Sequence, residues 1–157
     1  MQKRIIPPPA SESGHDSKDT WLDLDEHATV QLVSEDPAHP IEAALAQEGG
    51  SGGWKAGQPG KQTILIHFKI PQPIRQIYLR FEIPEQRTQE FLLSASTDGG
   101  ASFREIVRQQ FNFSPSTPRE EENIHVELSA VNCLKLTLTP DISNENAHAT
   151  LHELRIR

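Results

Sequence analysis

From Trp21 onward, apolar and polar residues alternate with a period of two. Val30 and Leu32 alternate with Thr29 and Gln31, and Ile64, Ile66, Phe68 and Ile70 share one face of a mostly apolar run. Ile77, Leu79, Phe81 and Ile83 alternate with Gln76, Tyr78, Arg80 and Glu82. Phe91, Leu93 and Ala95 repeat the pattern, as do Ile124, Val126 and Leu128, then Leu134, Leu136 and Leu138. Successive strand side chains point to opposite faces. The pattern therefore predicts antiparallel strands, apolar inward and polar outward, in sheets packed face to face. The last segment, Ala149–Arg157, shifts phase between Leu151 and Leu154, which predicts a β-bulge.

Turn residues separate these runs: Pro71-Gln72-Pro73, Pro84-Glu85, Asp98-Gly99-Gly100 and Pro140-Asp141. Asp98-Gly99-Gly100 predicts a hairpin, because glycine accepts positive φ without a Cβ clash. The one helical candidate is Ile41–Ala46, after Pro40. About eight short strands without a long helix predict an all-β antiparallel sandwich of the jelly-roll type, with one short helical turn.

Composition narrows the picture. The 157 residues carry a net charge of -7. Within residues 1–20, Lys3, Arg4 and Lys18 balance Glu12, Asp16 and Asp19, so the whole excess belongs to residues 21–157. Pro7-Pro8-Pro9 and the Ser-, Gly- and Asp-rich stretch after it offer little to bury. Residues 1–20 are expected to form a flexible arm before one folded domain, residues 21–157. The acidic balance argues against a nucleic-acid partner, which calls for a basic surface. No apolar run approaches the roughly 18–20 residues of a membrane span. Cys133 stands alone, which excludes an internal disulfide framework and a Cys-rich zinc site. With no secretory signal at the start, a cytoplasmic location is expected.

Several residues invite a chemical reading, each beside a plainer one. Gly49-Gly50-Ser51-Gly52-Gly53 fits G-x-S-x-G but lacks the preceding strand and following helix of a nucleophile elbow, so it reads as a loop. His148 and His152 have metal-ligand spacing for a helix, yet fall on a strand and read as surface residues. Asp36 and His39 share a loop with Glu35 and Glu42. They suit a sugar hydroxyl or a hard cation; alternatively Asp36 or Ser34 caps the short helix. Trp54 is a stacking platform or a core plug, and Trp21 an anchor against the last strand. Phe111 and Phe113 open a longer loop, with one ring exposed as a contact or both in the core. Glu120-Glu121-Glu122 reads as a solvated run. Arg80 and Arg87 would grip a carboxylate if they meet at one loop end; otherwise they pair with nearby glutamates.

The order of motifs resembles the discoidin, or coagulation factor 5/8 C-type, family of galactose-binding-like jelly rolls. His39-Pro40-Ile41-Glu42-Ala43-Ala44-Leu45 is similar to that family's early loop and short turn, and Trp54 to its early tryptophan. Gln62–Phe68 and Ile74–Phe81 resemble its next two strands. Phe91–Gly100 resembles "Y-x-V-x-Y-S-x-D-G-G", Cys133–Thr139 "R-Y-V-R-I-x-P", and Ala149–Arg157 the closing strand. The resemblance implies a non-catalytic module whose loops at one end hold a carbohydrate. The site residues expected on those loops are His39, Arg80, Arg87 and Phe113, with the first three bonding hydroxyl or carboxylate groups and Phe113 stacking. Some members hold a structural calcium ion near the early turn. The Asp of that turn is missing here, so no cofactor is expected. The alternative is a protein-interaction or assembly domain, pairing with a partner protein or with itself.

Overall fold

The structure is a computed structural model that describes residues 21–46 and 52–157. The expected arm, residues 1–20, and Gly49, Gly50 and Ser51 of the glycine run lie outside the described residues. The chain opens with a helical turn, α1 (Leu24–His27), and β1 (Ala28–Leu32). A second turn, α2 (Glu42–Leu45), precedes β2 (Trp54–Pro59) and the long β3 (Gln62–Glu82). Then come β4 (Arg87–Ser96), β5 (Arg104–Phe113), the long β6 (Arg119–Thr139), β7 (His148–Leu151) and β8 (Glu153–Ile156). All pairings are antiparallel. One sheet runs β1-β3-β6-β4-β5 with β8 also on β3, and β2 pairs β7. The expected all-β sandwich of eight strands is the observed fold, with two short helical turns rather than one. The additional turn, α1, is capped by Asp23, whose carboxylate accepts from the Asp25 amide at 3.1 Å.

Two expected breaks are absent. Pro71-Gln72-Pro73 does not end a strand; β3 runs through it, and its partner β6 joins the two apolar runs at Ile124 and Leu134 into one. Prolines cannot donate to the ladder, and the β3–β6 register shifts repeatedly between His67 and Gln76. The buried phase of β3 changes there, from Ile64, Ile66 and Phe68 to Ile77, Leu79 and Phe81. One pair of long strands thus serves both layers. The expected bulge in the last segment is a strand break instead: β7 pairs β2, β8 pairs β3, and the His152 amide between them donates to the Arg80 carbonyl at 3.0 Å.

The core fills the gap between layers. The Phe81 ring lies 5.7 Å from that of Phe91 on β4, a strand that β3 does not pair with, so the contact crosses the sandwich. Phe111 packs on both rings, and Phe113 meets Phe111 edge-on at 6.2 Å. Trp54 is a core plug, fully buried. Trp21 lies under the Arg157 guanidinium at 4.9 Å, and the next amide, Leu22, donates to the Ile156 carbonyl, so the expected anchor on the last strand is present.

Phe113 departs from its expected role. It ends β5 with an inward ring that is 1% exposed, so it has no face to offer a ligand. The sequence reading began a loop here, but the strand continues and the connecting loop is only residues 114–118. Phe113→Ala is expected to lower stability by about 3–5 kcal/mol, as a buried aromatic deletion does. Urea unfolding checks this, and an unchanged midpoint would contradict the core placement.

Candidate functional site

Four connections gather at one end of the sandwich. The Ile83 amide donates to the Pro118 carbonyl at 2.7 Å, joining the β3–β4 and β5–β6 loops. Ile142 donates to Thr88 and Gly60 to Ala147, each at 2.9 Å, which holds the β6–β7 loop against both sheets. The loop after β1 joins through Lys55, whose amide donates to the His39 carbonyl at 3.1 Å while its carbonyl accepts from Asp36. Gly53 allows the start of β2 to approach the link between β7 and β8. Its φ is +65°, and a Cβ there would stand 2.5 Å from the Leu151 carbonyl oxygen and 2.6 Å from the His152 Cα.

These connections enclose a hollow of about 290 Å³ lined by Lys55, Glu82, Glu85, Arg87, His148 and Thr150, with Asn146 at the rim. Lys55 and Thr150 are cross-strand partners on β2 and β7, so pairing places them side by side. Arg87 enters from the first residue of β4. Its Nη1 donates to the His148 carbonyl at 3.1 Å, but its Nε is shielded from solvent and has no acceptor. The Thr150 hydroxyl is likewise buried without a partner. An unsatisfied buried polar group costs roughly 1–3 kcal/mol. Burial lowers the proton affinity of the Arg87 guanidinium, and the charges of Glu85 and Asp141 oppose that effect only through space. Farther along the same face of β4, Gln89 is fully buried with both ends of its amide unpaired.

Of the four residues singled out from sequence, Arg87 alone lines this hollow. Arg80 lies on the outer face of β3, where its Nε and Nη2 donate to one Glu153 oxygen at 3.2 and 2.9 Å and its Nη1 to Glu82. Its fork is therefore filled. It reaches the hollow only through Glu82, and it braces β3 to β8. His39 flanks the hollow through its backbone. Its Nδ1 stands 3.6 Å from an Asp36 oxygen, too long for a hydrogen bond. The Ala38 amide is the main reason that the Asp36 carboxyl titrates below its usual range. Neither Asp36 nor Ser34 caps α2; Glu35 accepts from the Ile41 amide instead, and Ser34 accepts from Gly57 and Gln58. Lys55 and Thr150 had no signal in the sequence, since only strand pairing unites them.

Among the described residues, no group of three or more His, Cys, Asp or Glu side chains is placed to hold a metal ion. A larger hollow, about 490 Å³, opens away from this end between Phe103, Ile106, Val126, Leu128 and Val131. Its walls are mostly apolar and hold no orphaned buried polar side chain. Volume favours it; unsatisfied chemistry favours the hollow at Arg87, and a polar ligand needs the latter.

No family model matches the chain, and no curated protein matches it. Solved structures do. A pectin-binding carbohydrate-binding module aligns at TM-score 0.58 and 16% identity, covering 83% of this chain and 90% of that one. The family 32 carbohydrate-binding module of Clostridium perfringens NanJ, solved with galactose, aligns at TM-score 0.60 and 12% identity, covering 87% and 97%. The family 32 module of AlyQ, solved with 4,5-unsaturated mannuronic acid, aligns at 0.57 and 19%, covering 83% and 95%. Against truncated AlyQ, which also has an alginate lyase domain, the chain spans 31% of that structure. The fold is that of the family 32 carbohydrate-binding modules, which are discoidin-like, galactose-binding-like jelly rolls.

The Arg80 brace continues outward to Tyr78, whose hydroxyl donates to Glu121. Partial burial, then the Glu121 carboxylate, pushes the phenol from 10.0 up to about 12. A raised acid pKa in the fold means that the unfolded chain loses its proton first. This contribution to stability is complete below pH 10.0 and falls away as pH rises toward about 12. Tyr78 is the sole tyrosine, so near-ultraviolet absorbance reads it directly. Ionisation near 12 is expected, and Glu121→Gln should bring it down. A wild-type phenol that ionises near 10.0 would contradict the Tyr78–Glu121 contact.

Proposed function

We propose that this chain is a non-catalytic carbohydrate-binding module whose ligand occupies the hollow between Lys55, Arg87, His148 and Thr150. The observation that carries this reading is a hollow at the loop end lined by polar groups with donors to spare, above all Lys55 and Arg87. A sugar hydroxyl both donates and accepts, so a single ring can satisfy several such groups at once. The small volume suits one sugar unit held by a rigid rim rather than a buried chain. Support also comes from the fold's company: the aligned modules were solved with galactose or mannuronic acid, or bind pectin. In this reading Arg87 bonds the ligand, His39 positions Lys55, and Arg80 acts as a brace.

Titration calorimetry against a panel of neutral and acidic oligosaccharides tests the reading. At least one should bind, and Arg87→Ala should weaken it about tenfold, the loss of roughly 1.4 kcal/mol. No binding anywhere on the panel would overturn the proposal.

A second reading, assembly with a second copy, is favoured by one observation. The apolar hollow opens between β5, which carries Arg104 and Arg108, and the first half of β6, which carries Glu120, Glu122 and Glu127. Two copies facing each other would set these charges in opposition. Light scattering decides it: a dimeric mass supports this reading, and a strict monomer overturns it.

A further inference from the structure

The two arginines near the loop end differ in one respect. Arg80 has all three guanidinium nitrogens engaged with carboxylates. Arg87 uses Nη1 alone, on the His148 carbonyl. Its Nε and Nη2 share the opposite edge of the guanidinium, and among the described residues neither has an acceptor. Nε is shielded from solvent, which leaves Nη2 as the charged donor that Arg87 offers to a ligand, and a charged donor bonds a carboxylate more strongly than a neutral one does.

The charges around it point the same way. Glu82, on the rim, is held by Arg80 and lies 4.0 Å from Arg119. Glu85 is exposed and makes no hydrogen bond to Arg87. Lys55 forms no ion pair with any described residue, and it lines the same hollow. The hollow thus holds two cations that form no ion pair, beside Glu82, which Arg80 holds, and the exposed Glu85. A partly buried cation without a bonded anion is unusual, because buried charges are normally paired. The nearby Asn146 and His148 add groups suited to ring hydroxyls rather than to a bare ion.

We infer that the sugar bound in this hollow is acidic: a uronic acid unit whose carboxylate accepts from Arg87 Nη2, with Lys55 as the second cation. The inference rests on the carbohydrate reading above and narrows its ligand to one chemical class. Arg87 reads the carboxylate, and Asn146 and His148 read the ring.

The test compares two probes that differ only at the acid: galacturonic acid oligosaccharides, and the same oligosaccharides with their carboxyls reduced to alcohols. The full chain should bind the acidic oligomer at least tenfold more tightly by calorimetry, with affinity falling as salt is raised. Arg87→Gln should abolish the preference, Arg87→Lys should restore only part of it, and Lys55→Gln should reduce it. Equal binding of both probes would overturn the inference and leave the carbohydrate reading intact. Binding of neither, nor of any other sugar, would overturn both. Competition by sodium acetate at the oligomer's own concentration would show recognition of any carboxylate and overturn the uronate assignment. Should the Arg87 variants fail to fold by circular dichroism, the two probes on the wild-type chain still decide the question.

Discussion

The pairing of β3 with β6 is the constraint on which the rest of the molecule depends. Each strand is 21 residues long, and they stay partners from Gln62–Leu138 to Glu82–Arg119. They turn together where Pro71 and Pro73 interrupt the ladder. The first half of β3 then pairs β1 and the second half pairs β8, while the second half of β6 pairs β4. Fixing that one register sets where Glu82 and Arg119 emerge, and hence where the β3–β4 and β5–β6 loops meet. The outer ion pairs, Arg80 with Glu153 and Glu82, follow from the same register and stiffen the end that carries the hollow.

Burial is well satisfied in most of this fold and poorly satisfied in one place. Apolar side chains from both layers close the core, and most buried polar groups find partners. Arg155, for instance, reaches the Ala44 carbonyl and Glu153. Five described residues do not: Arg87 and Gln89 on one face of β4, Thr150 on the strand whose first carbonyl holds Arg87, and His39 and Trp54. Unsatisfied buried groups oppose folding, so their concentration at the loop end marks a place shaped for something other than stability. A polar ligand that displaces water there gains bonds the protein does not make for itself.

How much of this was legible beforehand depends on how local each feature is. The sandwich was readable because Ile64–Phe68, Ile77–Ile83 and Leu134–Leu138 each show period two, and alternation needs no knowledge of partners. The proline bend in β3 misled, because Pro71 and Pro73 are also turn residues and only pairing with β6 shows that the strand continues. β2 escaped because Gly57 and Pro59 break its alternation. Arg87 was legible as a cation beside a turn. Lys55 and Thr150 were not, since nearly a hundred residues separate them in sequence and only the β2–β7 register joins them. Phe113 and Arg80 were both taken for ligand contacts, and both are used up by tertiary structure, one in the aromatic cluster and one in the Glu153 fork.

The central claim is that Arg87 Nη2 meets the ligand's acid group, and the Nε–H of the same guanidinium reports on it. In a two-dimensional ¹⁵N–¹H spectrum, assigned by comparison with Arg87→Lys, added galacturonic acid oligosaccharide should move the Arg87 Nε–H resonance, together with amides at Lys55, His148 and Thr150. Shifts confined to Phe103, Ile106 and Val126 around the larger apolar hollow, or an Arg87 resonance that stays still at saturation, would contradict the account.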